Sequence, residues 1–188
     1  MNQSPILMRP LATKDFPVIA AWLQDSSFLA TYDYVPPKPL SMLEILIIWV
    51  RYLSNEEAVA FALCEREGGK LIGWLGYDEW DKENQLATLF IGIGDAGMRG
   101  KGYGKAAMDE LLRYGFEKMG LFKVQLQVLP FNKAGVALYE RCGFVREGMM
   151  RQAVLREGDR YDLLNYGLLK KEWEDAIANN QTDHPVLS

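Results

Sequence analysis

The hydrophobic and polar positions of the chain follow two periods, and the period of each stretch predicts a secondary-structure element. Apolar residues at every second position, rich in β-branched and aromatic types, predict strands. Apolar residues three and four positions apart predict amphipathic helices. Strands are predicted at 6–12, 58–66, 71–80, 85–93, 122–129, 144–155 and 159–170. Helices are predicted at 15–25, 41–54, 104–119 and 133–143, which gives the order β-α-α-β-β-β-α-β-α-β-β.

Residues that favour helix ends support these boundaries. Asp15 can cap the first helix, and Ser41 with Glu44 three residues later forms a capping box for the second. Asn132 can cap the last helix. The segment TYDYVPPKPL at 31–40 is rich in proline and aromatic residues and is predicted to be a loop.

The middle of the chain predicts a β-α-β unit. Strand 85–93, helix 104–119 and strand 122–129 follow one another, which requires a parallel strand pair and a right-handed crossover. The flanking strand pairs are joined by short turns and are predicted to be antiparallel hairpins. The expected fold class is therefore α/β (α+β), with a mixed twisted sheet of about seven strands and helices on both faces.

Composition limits the kinds of partner and the number of domains. The 188 residues are 49% hydrophobic and 24% charged, which suits one domain at 1–174 followed by a polar C-terminal tail at 175–188. The net charge of −4 provides no positive field for nucleic acid or an anionic membrane. The longest apolar run, 45–50, is too short to span a bilayer, and the start lacks a signal-peptide pattern. We expect a cytoplasmic protein, monomeric or homodimeric.

The cysteines and the histidine exclude several chemistries. Cys64 and Cys142 have no partners at metal-ligand spacing, so no metal site is expected. The lone histidine, His184, lies in the polar tail, which argues against hydrolysis through a histidine base.

One glycine-rich stretch, MRGKGYGKA at 98–106, lies between a predicted strand and a predicted helix. It alternates glycines with basic residues: Gly100, Gly102 and Gly104 with Arg99, Lys101 and Lys105. At such a junction, backbone N–H groups converge and the helix N-terminus favours negative charge. The stretch therefore predicts a phosphate site.

Two common phosphate motifs do not fit this stretch. A Walker A loop needs a hydroxyl residue after Gly104-Lys105, and the chain has Ala106 there. GIGDAG at 92–97 matches the dinucleotide pattern, but its helix begins too late and the next strand ends without the acidic residue that binds a ribose.

The motif R-x-x-G-x-G at 99–104 resembles the pyrophosphate loop of the GNAT superfamily of N-acetyltransferases, which use acetyl-CoA. Downstream, NKAGVALYERCGF at 132–144 is similar to the family pattern N-x-x-A-x-x-x-Y-x-x-x-G-F, with Gly135 in place of the alanine. The resemblance covers roughly residues 6–170. It implies the GNAT fold with a splayed central parallel pair, acetyl-CoA as co-substrate and no metal.

The resemblance assigns residues to the coenzyme. The main chain of Ile91, Gly92 and Ile93 would pair with the pantetheine arm. The N–H groups of Arg99, Gly100, Lys101, Gly102, Tyr103 and Gly104 would hold the pyrophosphate. Lys101 and Lys105 would screen its charge or remain solvated surface lysines. Asn132 would contact the pantetheine, and this role is compatible with capping the helix.

The resemblance also assigns the proton donor. Tyr139 would donate a proton to the leaving thiolate, because a phenol within hydrogen-bond reach can act as a general acid; the alternative is a core tyrosine. Many relatives have a glutamate as general base on strand 85–93, where this chain has Thr88. The proton would then leave through water or through another carboxylate, and four are close in sequence: Asp78, Glu79, Asp81 and Glu83.

Within the family, the C-terminal half most resembles the branch that acetylates ribosomal-protein N-termini or polyamines. This resemblance implies that the acceptor is a primary amine, either a protein N-terminal α-amine or a polyamine-like small molecule, that attacks directly in a ternary complex. Tyr32, Asp33, Asp78 and Glu79 are the candidate residues for binding this cation, because aromatic faces and carboxylates attract ammonium groups. An acyl-enzyme at Cys142 is disfavoured, since no histidine accompanies it. The alternatives are an aminoglycoside-type antibiotic acetyltransferase and a non-catalytic acyl-CoA-binding sensor.

Overall fold

The structure is a computed structural model that describes residues 3–32, 38–54 and 57–182. Its strands are β1 (Ile6–Pro10), β2 (Val59–Glu65), β3 (Leu71–Asp81), β4 (Leu86–Ile93), β5 (Lys123–Val128), β6 (Val145–Arg156) and β7 (Asp159–Leu169). Its helices are α1 (Phe16–Leu23), α2 (Ser26–Tyr32), α3 (Met42–Ser54), α4 (Tyr103–Arg113), α5 (Lys133–Arg141) and α6 (Lys170–Thr182). Within the described residues, no helix has the length and hydropathy needed to cross a bilayer.

The seven strands form one mixed sheet in the order β1-β2-β3-β4-β5-β7-β6. Strands β1 to β4 are antiparallel neighbours, and so are β5, β7 and β6. The pair β4 and β5, joined through α4, is parallel. The predicted fold class and the parallel central pair are therefore confirmed.

The parallel pair separates before its strands end. Pairing between β4 and β5 covers three positions and stops at Thr88 opposite Gln125. Strand β4 continues to Ile93 and β5 to Val128. We refer to the point where this pairing ends as the fork. Beyond the fork, β4 and β5 leave a gap between them.

Helices cover both faces of the sheet because strand side chains alternate. On one face Trp74 and Phe90 pack against the side chains of α1, α2 and α3. On the other face Leu75 and Leu89 pack against α4 in the larger core. Burying apolar side chains on both faces fixes the register of the sheet at the fork.

Asp15 corrects one local prediction. It precedes α1, but its side chain makes no capping hydrogen bond to that helix. The buried carboxylate instead pairs with both terminal nitrogens of the Arg9 guanidinium at 2.7 Å, and it accepts a hydrogen bond from the N–H of Ala12. The hydrogen bonds from Arg9 lower the pKa of Asp15. The capping box predicted at Ser41 and Glu44 is present.

Two helices had no counterpart in the predicted order. Helix α2 occupies Ser26–Tyr32, and its last two residues lie in the segment predicted to be a loop. Helix α6 begins directly after β7 and runs through residues predicted as the end of the domain and the start of the tail. Trp173 of α6 packs on Phe116 with ring centroids 5.1 Å apart. This tertiary contact stabilises a helix whose weak amphipathic pattern did not predict it.

The third predicted helix is interrupted where it packs on the sheet. Helix α4 is followed by a π turn at Tyr114–Lys118. The hydroxyl of Tyr77 on β3 donates to the carbonyl oxygen of Leu111 at 2.8 Å, and a Cβ at Gly115 would overlap that hydroxyl. A polar group that inserts into the helical hydrogen-bond ladder accounts for the wider turn.

This contact predicts a stability defect for Gly115→Ala. The added methyl group overlaps the Tyr77 hydroxyl, and we expect the free energy of unfolding to fall by about 2 kcal/mol, as in other overpacked cores. The measurement is chemical denaturation. Gly148→Ala is the control, because a Cβ there meets nothing within 4 Å. Equal stability of the two variants would contradict the role given to Tyr77.

Candidate active site

A cavity of about 910 Å³ opens at the fork. Ile91, Val128 and Asn132 line it on the side where β4 and β5 diverge. Arg51 of α3 and Asp78 of β3 line its other side. The cavity therefore joins the gap in the sheet to the space under the N-terminal helices.

The glycine-rich loop adopts the backbone conformation that its composition predicts. Gly100 has φ 74° and Gly102 has φ 86°, both in the left-handed region that disfavours side chains. Gly102 is the residue before α4, so the first N–H groups of that helix project from the loop without partners inside the helix. This arrangement can bind an anion through main-chain groups.

Arg99 uses its side chain to fix the loop to β4. Its Nε donates to the carbonyl oxygen of Ile93 at 3.0 Å, and one terminal nitrogen donates to that of Gly94 at 3.4 Å. The guanidinium also lies over the ring of Phe28, 5.9 Å from its centroid. The side chain therefore holds the loop against the end of the strand.

The other side chains of the loop are directed away from its backbone. The hydroxyl of Tyr103 donates to Glu65 at 2.6 Å, and this hydrogen bond raises the pKa of Tyr103. Lys105 pairs with Asp109 one helical turn later at 2.6 Å. Lys101 is exposed. Tyr103 and Lys105 therefore already have partners, and an anion at this loop would be bound mainly through main-chain N–H groups.

Aromatic rings lie directly against the end of β4. A Cβ at Gly92 would stand 2.7 Å from Tyr32 and 2.8 Å from Phe28. The rings of Phe28 and Tyr32 are stacked with centroids 4.7 Å apart, and Tyr32 stacks on Trp74 at 5.9 Å. Gly92 therefore allows the helices to approach the strand, and Tyr32 forms part of the cavity wall.

Asn132 connects α5 to α2 across the cavity. Its side-chain oxygen accepts from the N–H of Gly135 at 2.9 Å, which confirms the predicted cap. Its amide nitrogen donates to the carbonyl oxygen of Thr31 at 2.9 Å. A Cβ at residue 135 would stand 2.7 Å from that amide, which explains glycine in place of the family's alanine.

Tyr139 lies in the cavity wall and is almost fully buried. Its ring packs edge-on against Phe144 with centroids 6.0 Å apart. Burial raises the pKa of Tyr139 to about 12, so the phenol keeps its proton at neutral pH. Burial also raises the pKa of the Cys142 thiol to about 11, and Cys142 is not among the cavity-lining residues.

The candidate carboxylates occupy different environments. Asp78 accepts a hydrogen bond from the Tyr52 hydroxyl at 2.6 Å and pairs with Arg51 at 3.2 Å. Asp81 bonds to Asn84 in the following turn and does not line the cavity. Asp33 lies outside the described residues.

Glu79 and Thr88 meet at the fork. The Thr88 hydroxyl donates to the carboxylate of Glu79 at 2.9 Å, and the Gln125 side-chain nitrogen donates to the Thr88 oxygen at 3.2 Å. All three residues line the cavity. The structure therefore places a carboxylate beside the threonine that replaces the family's glutamate.

Several residues of the cavity wall were not predicted from the sequence. Tyr52, Trp74 and Phe90 form a cluster in which each pair of ring centroids is 5.2–5.4 Å apart. Their apolar side chains predicted a place in the hydrophobic core, and nothing in the sequence indicated that they line a cavity. Within the described part of the chain, no group of three His, Cys, Asp or Glu residues could hold a metal ion.

Known proteins share this fold and parts of this sequence. The family model "Acetyltransferase (GNAT) domain" matches residues 6–145. An uncharacterized N-acetyltransferase of Bacillus licheniformis is 26% identical over 169 residues, 89% of this chain and 94% of that protein. The putative ribosomal N-acetyltransferase YdaF of Bacillus subtilis is 35% identical over 106 residues, 56% of this chain and 57% of its own.

A solved structure shows the same fold. Spermidine N-acetyltransferase from Vibrio cholerae, crystallised with CoA and spermine, superposes with a TM-score of 0.83 at 22% identity, over 92% of this chain and 99% of that one. The family model covers most of the chain, including the glycine-rich loop and Tyr139. The chain therefore belongs to the GNAT acetyltransferases, as an N-acetyltransferase that uses acetyl-CoA as its co-substrate.

Proposed function

We propose that this enzyme transfers the acetyl group of acetyl-CoA to a primary amine, a protein N-terminal α-amine or a polyamine-like molecule, by direct attack in a ternary complex. The observation that carries the proposal is one continuous cavity at the fork. It is lined by Ile91 near the end of β4, by a protonated phenol and by carboxylates of β3. The glycine-rich loop lies outside this lining and is held against the end of the same strand, where Arg99 binds the carbonyl oxygen of Ile93. The pantetheine arm and the amine can therefore occupy the cavity together.

The coenzyme binds along the open end of β4 in this proposal. The main chain of Ile91, Gly92 and Ile93 forms hydrogen bonds with the pantetheine. The pantetheine takes the place of β5, which does not pair with this part of β4. The N–H groups of 99–104 hold the pyrophosphate at the start of α4. Asn132 contacts the pantetheine from α5, and Lys101 and Lys105 contribute positive charge at longer range.

The chemistry follows from the position of Tyr139. The amine nitrogen forms a bond to the thioester carbon, and main-chain N–H groups of β4 stabilise the resulting oxyanion. The carbon–sulfur bond then breaks, and the sulfur takes the proton of the Tyr139 phenol. The phenol, with a pKa that burial raises to about 12, is protonated at neutral pH, so its proton is present when the thiolate forms.

Cys142 is unsuited to an acyl-enzyme route. A thiolate is the nucleophilic form of cysteine, and burial raises the pKa of this thiol to about 11. Because the side chain also lies outside the cavity lining, direct transfer is the simpler mechanism.

The acceptor side of the cavity suits a single ammonium group. Asp78 pairs with Arg51, and Glu147 pairs with Lys123 at 2.7 Å, so both carboxylates already have basic partners. Within the described residues, Glu79 forms no ion pair and can attract a cation. The surrounding rings of the Tyr52 cluster add cation–π attraction.

Trp74 favours the peptide over the polyamine. It is buried and lines the cavity, and its indole N–H has no hydrogen-bond partner within the described residues. A buried donor gains from an acceptor atom on the substrate. A peptide provides a carbonyl oxygen beside its α-amine, whereas a polyamine offers no carbonyl or carboxylate oxygen.

An amine panel tests the proposal. We expect CoA release from acetyl-CoA with short peptides that have a free N-terminus, and little or none with N-formylated versions of the same peptides. Spermidine and an aminoglycoside are the comparison acceptors. Release with spermidine alone would contradict the preference for peptides, and release with the aminoglycoside alone would contradict the proposed substrate class.

Gly104→Ala separates coenzyme binding from folding. Gly104 does not have a positive φ, and an added Cβ would stand 3.4 Å from Leu138, so the fold accepts the methyl group. We expect the melting temperature to be unchanged or higher, because alanine favours a helix, while affinity for CoA falls at least about tenfold. Calorimetry measures the affinity, with the wild-type enzyme as the reference. If the affinity for CoA is unchanged, the pyrophosphate does not bind at this loop.

Tyr139→Phe tests the proton donor. We expect kcat to fall about 10²-fold, the usual contribution of a general acid, while the Kd for acetyl-CoA stays the same. Tyr161→Phe is the matched control, since Tyr161 does not line the cavity. A kcat equal to that of the wild type would assign the proton to another donor.

The same variant checks the environment of the phenol. The folded-state pKa of about 12 exceeds the unfolded value of about 10. The contribution of the phenol to stability is therefore complete below pH 10 and is lost as the pH rises towards 12. We expect wild-type stability to fall more steeply than that of Tyr139→Phe across this interval. Parallel curves would contradict the raised pKa.

A further inference from the structure

We infer that Glu79 is the general base of this enzyme, held at the fork by Thr88 and Gln125. The inference rests on the proposed transfer to an amine, because only an amine that arrives as an ammonium ion needs a base. It assigns to a residue of β3 the task that the resemblance gives to a glutamate of β4.

The backbone of β3 brings the Glu79 carboxylate to Thr88. The register between β3 and β4 shifts between Asp78 and Asp81, so this segment forms a bulge. Glu79 lies in the bulge with φ 51°, a left-handed conformation that is uncommon for residues other than glycine. Such strain persists where the surrounding structure imposes it, and bulges often redirect a side chain next to an active site.

Thr88 and Gln125 hold the carboxylate from the fork itself. They are the last residues paired between the parallel strands, and their side chains form the hydrogen-bonded chain from Gln125 through Thr88 to Glu79. The threonine hydroxyl donates its hydrogen to the carboxylate. Thr88 is therefore a positioning residue that fills the family's glutamate position without acting as the base.

The other charged groups of the cavity do not compete for this role. Those that line the cavity besides Glu79 are Lys38, Arg51, Asp78 and Glu147. Asp78 is held by Arg51 and Tyr52, and Glu147 is held by Lys123. A carboxylate that is already bound to a basic partner is less available to an ammonium group than one bound to a hydroxyl group. Glu79 is the remaining carboxylate.

The proton balance is complete with groups on the enzyme and in solvent. The ammonium group of the acceptor gives one proton to Glu79, directly or through one water molecule. The neutral amine attacks the thioester. As the intermediate collapses, the sulfur takes the proton of Tyr139, the nitrogen gives its second proton to solvent, and solvent returns a proton to the Tyr139 phenolate. Glu79 returns its proton to solvent, to which it is exposed.

The pH dependence of Glu79→Gln tests the inference on the full-length enzyme. The probe is the panel peptide with the highest turnover, and spermidine serves if no peptide is accepted. At pH 6.5 we expect kcat/KM to fall about 10²-fold, with no change in the Kd for acetyl-CoA. The deficit should shrink as the pH passes the pKa of the acceptor amine, because solvent then supplies neutral amine. That pKa is about 7.7–8.0 for a peptide α-amine and about 10.4, the value for lysine, for an alkyl amine such as spermidine.

Two further sets of variants distinguish a general base at Glu79 from a purely structural role of its side chain. Glu83→Gln removes the same charge four residues away, outside the cavity, and should match the wild type at every pH. Thr88→Val should lower kcat/KM about tenfold, and Thr88→Ser, which keeps the hydroxyl, should restore most of it.

The outcomes distinguish this inference from the proposed function. A loss of rate in Glu79→Gln that is equal at every pH overturns the assignment as a base and leaves a binding role. A wild-type profile for Glu79→Gln overturns the inference while the proposed function stands. If the wild-type enzyme acetylates no amine of the panel, both the proposed function and the inference are wrong.

Discussion

The end of hydrogen bonding between β4 and β5 is the constraint on which the site depends. Beyond Thr88 and Gln125, the main chain of β4 faces a gap in the middle of a sheet. Buried N–H and C=O groups are nearly always hydrogen-bonded, so a gap between central strands suits a ligand that supplies the missing partners. An extended molecule with amide groups can add to such an edge as a strand does. Pantetheine is a molecule of this kind.

Packing on both sides keeps the gap open. Arg99 binds the carbonyl oxygen of Ile93 and fixes the loop to the end of β4. On the helical face, Tyr32 and Phe28 lie against Gly92, where no side chain could fit. On the far side, Asn132 reaches across to Thr31 and ties α5 to α2. These contacts couple the side of the cavity proposed to bind the coenzyme to the helices proposed to form its acceptor side.

The sequence predicted features that depend on neighbouring residues. The glycine-rich loop, the cap at Asn132 and the β-α-β order each follow from a short motif or a period. Features that depend on distant residues were not predictable. The π turn arises where Tyr77 meets α4, 34 residues along the chain. The bulge at Glu79 appears only when the register of β3 against β4 is known.

The two proton-transfer groups need opposite environments at one pH. A donor to the thiolate must keep its proton until the carbon–sulfur bond breaks. The phenol of Tyr139, the proposed donor, is protonated at neutral pH both at its ordinary pKa and at the raised pKa that burial causes. An acceptor of the ammonium proton must be ionised beforehand and must then exchange with solvent, which an exposed carboxylate can do. Because Asp78 is paired with Thr88, residue 79 of a regular β3 strand would direct its side chain to the opposite face of the sheet from Thr88. The bend in β3 therefore determines the proposed role of Glu79 as much as the identity of the residue does.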